Sequence, residues 1–103
     1  MERILLVIPK YSLSNKANYS YLFPLGLSYI SAALKREKYP VDIINLNHLN
    51  GKTENLINSI LDKRKYGFVL TGNIGIGYAI TEKILKTAKK HHSSPKTILG
   101  GPF

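Results

Sequence analysis

The sequence predicts an α/β fold, a parallel sheet carrying helices on both faces, and three observations lead there. Short runs that are apolar at nearly every position alternate with longer segments whose apolar residues recur every three or four positions. Alternation of that kind builds strand–helix–strand units joined by right-handed crossovers. The opening run, Ile4-Leu5-Leu6-Val7-Ile8-Pro9, has no polar alternation, as expected of a strand covered on both faces.

Residues 3–9 read as the first strand, followed by a polar loop over 10–23. Loops longer than about 12 residues in a compact domain are more often functional or mobile than simply connective. Phe23-Pro24-Leu25-Gly26-Leu27-Ser28-Tyr29-Ile30-Ser31-Ala32-Ala33-Leu34 opens a helix over 25–38. Pro is favoured at the first helical position, where its missing N–H has no partner to lose. Leu27, Ile30, Ala33 and Leu34 are read as its buried face, and the small residues let it lie close to the sheet. Tyr39-Pro40 ends it, because a residue before Pro avoids helical angles.

Val41-Asp42-Ile43-Ile44-Asn45-Leu46 is the second strand. Thr53 is placed to cap a helix over 54–64 that carries Leu56, Ile57, Ile60 and Leu61 at helical spacing. Tyr66-Gly67-Phe68-Val69-Leu70-Thr71 is the third strand, and Gly72-Asn73-Ile74-Gly75-Ile76-Gly77 is a tight turn after it. A third helix with Ile80, Ile84, Leu85 and Ala88 ends near His91-His92. Ser93-Ser94-Pro95 turns into Lys96-Thr97-Ile98-Leu99, the fourth strand, which runs into Gly100-Gly101-Pro102-Phe103. Four strands and three helices in this order predict a Rossmann-like, flavodoxin-like three-layer sandwich with parallel sheet order 2-1-3-4. The whole chain, 1–103, forms one domain in this reading. Chains of this pattern continue through a further helix and a fifth strand, so the expectation is the N-terminal fragment of a larger protein.

The chain has no cysteine, which excludes disulfides, thiolate metal sites and a cysteine-ligated cluster within it and fits a reducing, cytoplasmic setting. No apolar run approaches about 18 residues, so no segment is expected to cross a membrane. Fifteen basic residues against six acidic ones give a net charge of +9, which raises the possibility of a nucleic-acid surface. The bases concentrate at predicted helix ends, in Lys35, Arg36 and Lys38, in Lys63, Arg64 and Lys65, and in Lys86, Lys89 and Lys90. Cations there oppose the negative end of the helix dipole, and the tyrosines are not interleaved with them as a strand-stacking surface requires. Nucleic acid is therefore not the expected partner.

The Gly72–Gly77 turn is not Gly-x-Gly-x-x-Gly, and it follows the third strand rather than the first. No Gly-x-x-x-x-Gly-Lys-Ser/Thr and no Gly-x-Ser-x-Gly occurs. The turn and the Gly100-Gly101 pair each have two readings: ordinary turn chemistry, or a bare backbone against which a flat ligand lies. His48 stands in a polar loop and reads as solvated. His91-His92 reads as a helix C-terminus favoured by imidazolium rather than as a metal site. Asp42 lies within a strand, and Glu2, Glu37, Glu54, Asp62 and Glu82 read as surface positions. This leaves no acidic pair at a strand end, as a phospho-acceptor receiver needs, and no general acid–base set.

Three segments together resemble the N-terminal cobalamin-binding domain of radical S-adenosylmethionine enzymes. They are the first strand ending in Pro9, the run from Pro24 through Arg36 leading to Tyr39-Pro40-Val41-Asp42-Ile43-Ile44-Asn45, and the closing Thr97-Ile98-Leu99-Gly100-Gly101-Pro102-Phe103. The resemblance covers nearly the whole chain. It implies a module holding cobalamin at the carboxyl edge of its sheet, facing a C-terminal radical barrel as partner. The S-adenosylmethionine and the iron–sulfur cluster belong to that barrel, which performs methyl transfer or related radical chemistry, so this chain by itself is not expected to be catalytic.

The Asp-x-His-x-x-Gly motif of many cobalamin domains is missing; the loop after Pro9 contains no His. The resemblance therefore implies base-off cobalamin without a His ligand and names no metal-ligating residue. Carried over onto this sequence, Thr71, Gly72, Asn73, Gly100 and Gly101 line the slot for the nucleotide tail, and Pro9, Lys10 and Tyr11 lie near the ring. The alternatives left open are a cofactor-free flavodoxin-like domain that docks on the barrel and, with less support, a basic nucleic-acid-binding domain. The unpaired edge of the fourth strand is expected to support weak dimerisation.

Overall fold

The computed structural model describes residues 2–10, 16–17, 25–72 and 78–100. Four parallel strands, β1 (Ile4–Ile8), β2 (Val41–Asn45), β3 (Phe68–Gly72) and β4 (Lys96–Gly100), form one sheet in the order β2-β1-β3-β4. The helices are α1 (Leu25–Arg36), α2 (Thr53–Lys63) and α3 (Tyr78–Lys90). The architecture is the flavodoxin-like one that the sequence predicts.

Alternation along the central strands divides the core in two. Leu5 and Val7 of β1 and Val69 of β3 pack with Ile57 and Leu61 of α2 and Ile84 and Ala88 of α3. Leu6 and Ile8 of β1 and Leu70 of β3 face the other way, onto Leu27, Ile30 and Leu34 of α1. A strand between two apolar layers has no face left for polar residues, and all five residues of β1 are buried.

Several local expectations are corrected. The inward stripe of α1 is Leu27, Ile30, Ser31 and Leu34, with Ala33 exposed; spacings of three, four and seven from Leu27 define that stripe, and Ala33 lies off it. The helix stops at Arg36, two residues before the predicted end, and Lys38 takes a left-handed conformation (φ 67°). There Tyr39 N–H bonds the Leu34 carbonyl at 3.0 Å, closing the last turn. Thr53 is the first residue of α2 rather than its cap; Lys52 stands at the N-cap position without a side-chain hydrogen bond. β3 begins at Phe68 instead of Tyr66 and extends to Gly72, while β4 extends to Gly100. After β2 the chain makes a short 3-10 turn, Leu46–His48, where the sequence reading has only loop.

The basic last turns are observed: Lys35 and Arg36 end α1, Lys63 ends α2, and Lys89 and Lys90 end α3. Among the described residues no helix is long and apolar enough to cross a membrane.

Candidate binding site at the carboxyl edge of the sheet

In a parallel sheet of this kind ligands bind beyond the carboxyl ends of the strands, where crossovers diverge to opposite faces. Here β1 feeds α1 on one face and β3 feeds α3 on the other. The described residues at that edge are Pro9 and Lys10 after β1, Asn45 and Asn47 around the end of β2, Thr71 and Gly72 of β3, and Gly100 of β4. Tyr11, Asn73 and Gly101 lie outside the described residues, as does the rest of the Gly-rich turn.

The edge has two halves. On the β3–β4 side, Gly72 and Gly100 are register partners. A Cβ on Gly72 would lie 2.6 Å from the Gly100 carbonyl oxygen and 3.3 Å from Leu27 Cδ2, so the neighbouring backbone itself demands glycine there. Gly100 differs. Among the described residues a Cβ there would meet only Ile30 Cδ1, at an ordinary 3.8 Å. Packing among the described residues tolerates a side chain at Gly100. Beside them Thr71 is fully buried and its hydroxyl donates to the Val7 carbonyl at 2.8 Å, tying β3 to β1 at the floor of the edge.

On the β1–β2 side a polar clamp holds the connections together. Asn47 is 1% exposed. Its amide donates to the Pro9 carbonyl at 2.7 Å and to Asn45 Oδ1 at 2.9 Å. Asn45 Oδ1 also accepts the Asn47 backbone N–H at 3.0 Å, which caps the 3-10 turn. The Lys10 ammonium donates to the Leu49 carbonyl at 2.5 Å and the Lys16 carbonyl at 3.3 Å. Ala17 N–H donates to Asn50 Oδ1 at 2.7 Å. Pro9, Lys10 and Ala17 are thus each bonded to the segment after β2, at Asn47, Leu49 and Asn50. Burial of Lys10 disfavours its charged form and lowers its pKa from the ordinary lysine value.

The sequence-predicted residues therefore separate: Thr71, Gly72 and Gly100 come together, while Pro9 and Lys10 join the clamp around Asn47. Sequence reasoning missed Asn47. Its signal was the Asn45, Asn47, Asn50 run directly after a strand, where short amides commonly bond nearby backbone. His48 is exposed and ends the 3-10 turn.

A second polar cluster lies at the opposite edge, where strands begin. Asp42 accepts from Tyr66 Oη at 2.6 Å, Arg64 at 3.0 Å and Arg3 at 3.1 Å. Burial alone would raise its pKa, but the Tyr66 and Arg64 hydrogen bonds and the two guanidinium charges outweigh it, leaving the carboxyl below its usual range. Burial and the bond to Asp42 push the Tyr66 phenol up to about 12. The partners are all internal, so this cluster is structural. Comparison with protein-family models, with curated proteins and with solved structures finds no match for the chain.

Proposed function

We propose that this chain is the cobalamin-binding module of a radical S-adenosylmethionine enzyme, with the β3–β4 half of the carboxyl edge as the slot for the nucleotide tail of base-off cobalamin. One observation carries the reading. Gly100 is bare although packing among the described residues leaves room for a Cβ, and it lies beside Gly72, whose bareness is enforced, at the edge where this architecture binds ligands. The resemblance in the sequence supplies the identity of the ligand. Lys10 and Asn47 act indirectly in this reading, by fixing the paths of the first loop and of the segment after β2. Methyl transfer or related chemistry belongs to the C-terminal barrel, with its own S-adenosylmethionine and cluster, and the parent protein is cytoplasmic.

A second reading, a cofactor-free domain that docks on such a barrel, is favoured by a specific observation. The Thr71 hydroxyl proton and the Lys10 ammonium are both engaged with backbone carbonyls inside the domain. Titration with hydroxocobalamin separates the two. Saturable amide shifts at Thr71, Gly72 and Gly100, with a base-off absorption spectrum, are expected of the cobalamin module. Well-dispersed amide signals that do not move at any cobalamin concentration would refute it in favour of docking.

A further inference from the structure

The helices α2 and α3 end side by side at the edge of the sheet remote from the candidate slot, and three metal-ligating side chains meet there. His91, just after α3, has a side chain only 4% exposed, and its Nε2 lies 2.7 Å from Oδ1 of Asp62 in the last turn of α2. His92 Nε2 is 3.6 Å from the same oxygen. The three donor atoms all lie within 4.8 Å of one another. His91 stands just after the last turn of α3, at the helix C-terminus that the sequence reading gives it, and is buried there and hydrogen-bonded on both ring nitrogens.

We propose that Asp62, His91 and His92 form a binding site for a zinc-class divalent cation that joins the C-terminal ends of α2 and α3. Two imidazoles and one carboxylate are a donor set suited to such ions. In a tetrahedral site with bonds of about 2.0–2.1 Å, donor atoms stand roughly 3.3 Å apart. The two distances to the Asp62 oxygen, 2.7 and 3.6 Å, bracket that edge. Asp62 and His92, 61% and 83% exposed, are free to swing onto the ion, while buried His91 is the fixed anchor.

The outer partner is also in place. Ser93 Oγ lies 2.7 Å from His91 Nδ1. Without metal, Nδ1 accepts from the Ser93 backbone N–H at 3.2 Å and the Nε2 proton faces Asp62. With metal on Nε2 the ring shifts tautomer, and Nδ1–H donates to Ser93 Oγ, the outer-shell bond that metal-bound histidines usually make. The negative ends of two helix dipoles favour a cation here. The neighbouring Lys63, Arg64, Lys89 and Lys90 are all exposed and oppose it, so binding is expected to strengthen as salt screens them. Three protein donors leave a coordination position open to water.

The test is calorimetric titration of the full chain with zinc chloride, together with thermal unfolding in the presence and absence of zinc. One saturable site per chain and a zinc-dependent rise in Tm are expected. Asp62→Asn should weaken binding by at least the roughly 10–100-fold that even an outer-shell partner commands. His92→Ala should weaken zinc binding likewise, a loss that a purely structural Asp62–His91 tie would not predict. His48→Ala, which alters the one remaining histidine, should bind zinc like the parent chain. Absence of saturable binding, undiminished binding by His92→Ala, or loss of binding in His48→Ala would each overturn the proposal.

Discussion

Two Gly→Ala substitutions on adjacent strands separate packing from ligand access. At Gly72 the added methyl would sit 2.6 Å from the Gly100 carbonyl oxygen, 3.2 Å from its carbon and 3.3 Å from Leu27 Cδ2. The first two neighbours are backbone of a hydrogen-bonded strand, so β4 must move rather than a side chain rotate. Overpacking of this kind costs about 1–3 kcal/mol. At Gly100 the same methyl meets, among the described residues, only Ile30 Cδ1 at 3.8 Å, and the unfolded chain loses freedom, a stabilising effect of about 0.4–1 kcal/mol. In thermal or urea unfolding, Gly72→Ala should therefore lower Tm by about 5–20 °C, whereas Gly100→Ala should hold or slightly raise it. Hydroxocobalamin titration then adds the functional contrast: Gly100→Ala should be folded yet weakened in binding. Equal stability for Gly72→Ala and the parent chain would refute the packing argument. Undiminished cobalamin binding by Gly100→Ala would refute the slot.

Asn47→Ala should destabilise by about 1–3 kcal/mol, because it leaves the Pro9 carbonyl without its buried donor; amide exchange should rise at the segments after β1 and β2. The Asp42–Tyr66 pair predicts opposite pH flanks. The lowered carboxyl of Asp42 contributes stability above the usual carboxylate range, lost as pH falls through its folded pKa. The raised phenol of Tyr66 contributes stability in full below about 10, lost as pH rises towards about 12. Tyr66→Phe should cost about 1–2 kcal/mol at neutral pH and flatten the alkaline flank of the stability profile. Finally, β4 pairs on one side only in the described sheet and exposes Ile98, so weak concentration-dependent dimerisation is expected. A strictly monomeric mass by light scattering at high concentration would count against it.

The division of labour between sequence and tertiary structure follows from the range of the forces involved. Hydrophobic periodicity is local, and the sequence by itself determined the order of elements, the fully buried first strand, the apolar stripes of α2 and α3 and, through right-handed crossovers, the strand order 2-1-3-4. Local signals were weaker where competing residues offered similar faces. Ala33 and Ser31 are both small, and only packing on the sheet placed Ser31 inside. Contacts between distant segments left no local trace. Asn47 reaches Pro9 across 38 positions, and Gly72 needs its missing side chain because of a carbonyl 28 positions on. The Asp62–His91 contact spans 29 positions, so Asp62 read as a surface position and His91-His92 as a helix end, with nothing in the sequence joining them. The glycines that end β3 and β4 looked alike in sequence; only the distances from each to its described neighbours distinguished the one that packing requires from the one where those neighbours leave room for a Cβ.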